Sequence, residues 1–299
     1  MPEIQIGNIQ WFPGHMTKTK RMIAANLSLV DGVVALLDAR IPLSSCNPEL
    51  TELMHSKPYM VLLNKSDIAD PDMTTQWLQY YRRQGIPALA MDCVSGKGRN
   101  QFLPVVKQQL LHELLEKRQK VGMVGRPIRL MIVGIPNVGK SSFINKMAKS
   151  KRAKVEDRPG VTRTKQWVKV DEQIEFLDMP GVLWPRLDDQ QAAVRLAFTG
   201  AIRDQVLDIE ALSMLLLEFL HEHYPKALLE RYKLETDETE GDKLLELVGR
   251  KRGMLLSGGI VNTERAAITV LDDFRGAKLG RITLESPPEC APERASEEA

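Results

Sequence analysis

Cysteine is scarce in this 299-residue chain, where Cys46, Cys93 and Cys290 stand far apart, odd in number and without metal-ligand spacing. That excludes a disulfide framework and a thiolate metal site. Aromatic residues make up only 5% of the chain, and no strand alternates them in the way that stacks unpaired bases, so any RNA contact would rest on charge and shape. No apolar run reaches the roughly 18 residues of a membrane span. Met1 to Lys20 has neither a signal-peptide core nor a transit composition, so the cytoplasm is the expected compartment, with no membrane partner. What remains is a chain of 43% hydrophobic content, long enough for two packed domains.

The net charge of +2 hides a strong segregation. Nine lysines and arginines fall between Lys146 and Lys169 against Glu156 and Asp157 alone, a density that suits a polyanionic partner. A second basic cluster is Arg250-Lys251-Arg252, which reads equally as a solvated helix end. Acids collect at Glu235 to Asp242 and in the last fifteen residues, where Ser286-Pro287-Pro288 and the Glu/Pro/Ala mix that follows predict a disordered tail over 285–299.

Six short apolar runs read as buried strands: Val33 to Leu37, Met60 to Leu63, Pro87 to Ala90, Leu130 to Val133, Trp167 to Val170 and Ile174 to Leu177. Helical spacing between several of them, over 74–84, 101–119 and 142–148, predicts an α/β domain with a mostly parallel sheet. Lys117 to Arg129, basic and glycine-bearing, reads as a linker between the two halves of that sheet. Beyond Trp184-Pro185 the pattern becomes long and amphipathic, over 188–199, 209–221, 243–248 and from Thr263, with one weak strand signal at Gly280 to Leu284. The expected division is a nucleotide-binding domain over 1–187, a mainly helical domain over 188–284 and the tail.

The chemistry begins at Gly134-Ile135-Pro136-Asn137-Val138-Gly139-Lys140-Ser141, a phosphate-loop pattern placed after a strand and before a helix. The loop, from Gly134 through Pro136, Asn137, Val138 and Gly139 to Ser142 at the helix start, would wrap the phosphates, with the backbone N–H groups of all but Pro136 turned inward and the positive end of a helix dipole behind them. Lys140 would neutralise β- and γ-phosphate charge, and Ser141 would offer its hydroxyl to Mg²⁺. The base is chosen by Asn64-Lys65-Ser66-Asp67 at the end of a strand. The Asp67 carboxylate can accept from both the ring N–H and the exocyclic amine of guanine, a pair that adenine does not offer. Asp178-Met179-Pro180-Gly181 follows another strand; Asp178 would hold the Mg²⁺ shell through water, and the Gly181 N–H would meet the γ-phosphate. Arg158-Pro159-Gly160-Val161-Thr162 supplies a threonine for a switch over Mg²⁺, with Thr164 as the alternative. The base motif precedes the phosphate loop, so the nucleotide domain is circularly permuted.

Taken in order, Trp11-Phe12-Pro13-Gly14-His15-Met16, Asp38-Ala39-Arg40-Ile41-Pro42, the base motif, the phosphate loop, the Thr162 segment and Asp178-Met179-Pro180-Gly181 resemble the ribosome biogenesis GTPase A family over nearly the whole chain before the tail. The resemblance implies a circularly permuted P-loop GTPase domain with a helical C-terminal domain. It also implies GTP hydrolysis coupled to late assembly of the large ribosomal subunit, with the helical domain on ribosomal RNA. By position in such proteins, Cys93 occupies the small-residue place of the base-sensing segment, although the usual Ser-Ala-Lys is absent. Asn137 resembles the asparagine that helps hold K⁺ against the phosphates in related GTPases.

Val182 stands where many signalling GTPases carry a water-orienting glutamine, a task valine cannot perform, so hydrolysis should be slow without help. His15 is a candidate for reaching the attacking water. His221 and His223 mark a helix end before Pro225, with no third metal ligand in sight. Two other functions compete: a regulatory switch acting on a protein effector, which the one-signed charge near Thr162 disfavours, and an RNA-binding protein with a vestigial nucleotide site, which the intact Lys140, Ser141, Asp67 and Asp178 disfavour.

Overall fold

The computed structural model describes residues 16–48, 51–52, 56–123, 125–148, 166–181, 183 and 189–288. The Val/Ile/Leu-rich runs form six strands: β1 (Gly32–Asp38), β2 (Tyr59–Asn64), β3 (Ala88–Met91), β4 (Ile128–Gly134), β5 (Gln166–Lys169) and β6 (Ile174–Asp178). They make one sheet in the order β3-β2-β1-β4-β6-β5. All pairings are parallel except the edge strand β5, which runs antiparallel to β6. Both faces of a parallel sheet must be covered, and this is why its strands are continuously apolar. Alternate residues then divide between the faces: Val34, Leu36, Leu130, Ile132 and Phe176 join one core, whereas Val33, Ala35, Met131, Val133 and Leu177 join another.

The second face is covered by helix α1 (Met16–Asn26), through Ile23, and by α2 (Pro71–Arg83), whose Trp77 and Tyr81 pack on Leu37, Val61 and Leu63. The sequence pattern places α2 at residue 74; its true start is fixed by Asp70, which accepts from the N–H groups of Asp72 and Met73, with Pro71 in the first turn. The first face is covered by α3 (Arg99–Val105), a π-turn (Val106–Leu110), α4 (His112–Lys120) and α5 (Lys140–Met147), where Phe143 stacks on Phe176 and Phe102 meets both edge-on. One helix was expected over 101–119. Pro104, which has no N–H for the ladder, lies just before the point where it breaks into three pieces.

The helical region comprises α6 (Gln190–Phe198), α7 (Ile209–His223), α8 (Pro225–Tyr232), α9 (Gly241–Lys251) and α10 (Thr263–Arg275). Its core is continuous with that of the sheet: one apolar cluster runs from Val34 and Leu36 to Leu216, Val270 and Leu284. Two sequence expectations change here. No strand forms over Gly280 to Leu284; that segment lies along loops instead, with the Ile282 N–H on the Ile68 carbonyl and the Leu284 N–H on the Arg40 carbonyl. Glu285, assigned to the tail from composition, is buried: its carboxylate accepts from the Ser44 N–H at 2.9 Å and the Ser44 hydroxyl at 2.6 Å. Its carbonyl accepts from the Trp77 indole. Among the described residues, no helix is long and apolar enough to cross a membrane.

Candidate functional site

Because five strands run the same way, their carboxyl ends bring Asp38, Asn64, Met91, Gly134 and Asp178 to one edge of the sheet, where ligands of open α/β sheets bind. The phosphate-loop residues connect β4 to α5 at that edge. Gly139 has φ +97°, and a side chain there would collide with the Asn64 amide, so only glycine lets the two motifs close on each other. Asn64 uses that proximity: its amide nitrogen donates to the Val138 carbonyl at 2.7 Å, and its oxygen accepts from the Cys93 N–H at 3.2 Å. One buried side chain therefore joins the base motif, the phosphate loop and the loop after β3.

Lys140 is buried, and its Nζ donates to the carbonyls of Gly134 at 3.0 Å and Ile135 at 2.8 Å, which aims the ammonium across the loop. Burial lowers its pKa to about 8, with Asp178 pulling the other way. Burial raises Asp178 to about 6, opposed by the Lys140 charge. Its Oδ1 is buried without a hydrogen-bond partner. A carboxylate oxygen with unspent lone pairs, beside a lysine and the start of α5, suits a hard divalent cation that takes oxygen ligands. Gly181 completes the group, because a Cβ there would lie 3.0 Å from both Lys140 Nζ and Pro136 Cα. A side chain at 181 would press on Pro136 and Lys140, so glycine lets the Asp178–Gly181 turn approach the phosphate loop without displacing either.

Asn137 adopts φ +58° and donates its amide nitrogen to the Gly200 carbonyl, just beyond α6, at 2.8 Å. This leaves the amide oxygen as the end suited to a cation. Ser141 and Ser142 lie in the first turn of α5, both half-buried. On the base side, the Asp67 side chain is exposed at the loop surface, and Lys65 reaches back to Asp38 at 3.0 Å. Cys93 is buried, and burial with the neighbouring Asp92 charge pushes its thiol up to about 12, so its contribution is its backbone N–H. His15, Thr162, Thr164 and Val182 lie outside the described residues, as does the basic stretch from 149 to 165.

Sequence reasoning left Asp38 and Arg40 without a task. Both are buried: the Arg40 guanidinium grips the two Asp38 oxygens at 2.9 and 2.8 Å and lies over the Phe274 ring of α10. Burial alone would raise the Asp38 carboxyl, but Arg40 and Lys65 hold it well below the usual carboxylate range. The Asp38-Ala39-Arg40 segment is thus where the sheet edge meets the helical region, a contact with no local sequence signal. The Arg250–Arg252 cluster is exposed, and two of its members have partners within the chain: Arg250 pairs with Glu246 one helical turn back, and Arg252 lies over the Tyr232 ring. Among the described residues, no group of three or more His, Cys, Asp and Glu side chains could hold a metal, and His223 closes α7 as expected.

Comparison with known proteins agrees with this geometry. Residues 129–239 match the family described as 50S ribosome-binding GTPase. A short second match, to the family described as Far upstream element-binding protein, C-terminal, covers 64–90, which here is internal to the sheet and its covering helix. Ribosome biogenesis GTPase A of Bacillus licheniformis is 46% identical over 279 residues, spanning 93% of this chain and 98% of that protein. The protein of the same name from Priestia megaterium is 47% identical, spanning 94% and 98%. A crystal structure of GNP-bound YlqF from T. maritima superimposes with a TM-score of 0.63 at 27% identity, covering 90% of this chain and 98% of that one.

Proposed function

The chain belongs to the ribosome biogenesis GTPase A family, and from that membership and the geometry of its loops we propose that it acts late in maturation of the large ribosomal subunit, bound in the GTP state and released after hydrolysis. It is a GTPase of ribosome assembly. The observation that carries it is the Asn64 amide, which holds the Asn64-Lys65-Ser66-Asp67 string and the phosphate loop at one sheet edge.

In this mechanism Asp67 accepts from the two guanine N–H groups, and Asn64 keeps Lys65 and Asp67 in register with the loop after Cys93. The N–H groups from Gly134 to Ser142 surround the phosphates, and Lys140 leaves its loop carbonyls for the β- and γ-oxygens. Ser141, Asp178 and Thr162 would hold Mg²⁺, which supplies neutralisation of the phosphate charge during transfer to water. The Gly181 N–H turns to the γ-phosphate. Asn137 would offer its oxygen to K⁺. With valine at 182, the attacking water has no glutamine to orient it, and His15 takes that part.

The regions divide the work: residues 1–187 bind and hydrolyse GTP in the cytoplasm, and the helical region over 188–284 meets ribosomal RNA. The basic stretch around Thr162 settles on ribosomal phosphates and so orders the switch, coupling hydrolysis to the subunit. The test is GTP turnover measured against purified subunits at two salt concentrations. Large subunits should raise the rate well above that of the free protein, whereas small ones should not. Equal stimulation by both, or none by the large one, overturns the reading in favour of a regulatory switch on a protein effector.

A further inference from the structure

The segment after α10 returns across the molecule to the base side of the site. There the Arg281 guanidinium bridges two carbonyls of one loop, with Nη2 on Ser66 and Nε on Ala69, each at 2.9 Å. The next residues continue the grip: the Ile282 N–H donates to the Ile68 carbonyl at 3.2 Å, and the Thr283 hydroxyl accepts from the Asp70 N–H at 3.1 Å. Asp67 lies between these anchor points. Its loop is a tight turn, with Lys65 at φ +61° and the Ile68 N–H on the Lys65 carbonyl at 3.1 Å. These four anchors come from residues more than 200 positions away in the chain.

We propose that Arg281 is a positioning residue for guanine recognition, holding the Ser66–Ala69 turn so that the Asp67 carboxylate meets both N–H groups of the base. The inference rests on the reading of Asp67 as the guanine acceptor. A guanidinium presents its N–H groups in a fixed planar fork, so two bonds from one side chain set the spacing of two carbonyls, which a flexible ammonium cannot do. Its charge also acts on Asp67. Partial desolvation against the loop raises that carboxyl and Asp92 adds to the rise, while a hydrogen bond from its own backbone N–H and the charges of Arg281 and Arg40 oppose it and favour the ionised form that accepts two hydrogen bonds. The segment is itself fixed, because the Tyr224 hydroxyl donates to the Thr283 carbonyl at 3.0 Å and Glu285 is buried against Ser44. The helical region thus reaches the base-reading loop through a rigid connection.

Guanine and hypoxanthine nucleotides share every phosphate contact and the ring N–H; only guanine has the exocyclic amine. A misplaced Asp67 loses the second bond first, so Arg281 controls the ratio of the two affinities. The experiment measures dissociation constants for GDP and inosine diphosphate with the full-length wild type, Arg281→Met, Arg281→Lys and Thr283→Val. Arg281→Met should weaken GDP about tenfold and inosine diphosphate by only about twofold. Lysine should restore part of the ratio, and Thr283→Val should move it in the same direction by less. Equal weakening of both ligands, or an unchanged ratio, overturns the proposal and leaves Arg281 with a structural part only. If Arg281→Met does not fold, the ratio for Thr283→Val and Arg281→Lys decides: wild-type values in both overturn it. An Asp67→Asn variant tested with GDP and xanthosine diphosphate separates the two readings. Failure there removes the base site itself, whereas success there with an unmoved Arg281 ratio removes only Arg281.

Discussion

Asn64 and Val138 are joined by a 2.7 Å hydrogen bond between side-chain amide and main-chain carbonyl, across 74 positions of sequence. Removing the amide strands two partners at once, the Val138 carbonyl and the Cys93 N–H, in a buried place. Asn64→Ala should therefore cost on the order of 2–4 kcal/mol of stability and weaken guanine nucleotides at least about tenfold. Thermal melting and a GDP titration check this. A variant that melts and binds like the wild type would show that the two motifs keep their places without Asn64.

Asp178 gives a pH signature with a definite sign. Its folded pKa of about 6 lies above the ordinary 3.8, so the folded protein holds the proton more tightly. The stability gained from that proton is complete below the ordinary value and is lost as pH rises through about 6. Asp178→Asn, which cannot ionise, should gain on the wild type over that window, by about 3 kcal/mol at roughly 1.4 kcal/mol per pKa unit. Melting of both proteins without nucleotide from pH 4 to 7 measures it. The same variant should lose Mg²⁺-dependent turnover.

Asp67→Asn should shift preference from guanine to xanthine nucleotides, because the amide then offers a donor to the carbonyl that replaces the exocyclic amine. Competition binding with GTP and XTP reads the shift. An unchanged preference would take Asp67 out of the base site.

Exchange of K⁺ for Na⁺ should slow hydrolysis by the wild type and leave Asn137→Ala unaffected. Asn137 also holds the Gly200 carbonyl, so the alanine variant should show a lower melting temperature in both salts. Equal wild-type rates in the two salts would exclude K⁺ from the mechanism.

The sheet and its loops were legible because their signals are local: an apolar run of strand length, then a glycine or an Asn-Lys-x-Asp string where the chain must turn. Helix α8 was missed because Pro225 reads as a terminator, whereas at the first position of a helix proline costs no hydrogen bond. Helix α1 was missed because its polar residues mask a weak apolar face. Glu285 was assigned to the tail because the Pro- and Glu-rich composition begins immediately after it, and its partners, Ser44 and Trp77, lie more than 200 positions back. The Arg281 contacts, and the packing of Arg40 on Phe274, escaped for the same reason. Single charged residues carry no periodicity, and their meaning depends on which distant carbonyl or carboxylate the fold brings to them.

The sheet order has a consequence for how the protein is made. β1 sits between β2 and β4, yet β2 and β3 leave the ribosome with it, whereas β4 follows only after Lys120 and the connector to Ile128. Until then the open edge of a three-stranded sheet would be its longest strand, Gly32–Asp38, buried throughout in the finished fold. Such an edge invites pairing with other chains. Translation that pauses between residues 100 and 128 would therefore hold the molecule in its most association-prone form, and swift arrival of β4 is what seals the sheet through its middle.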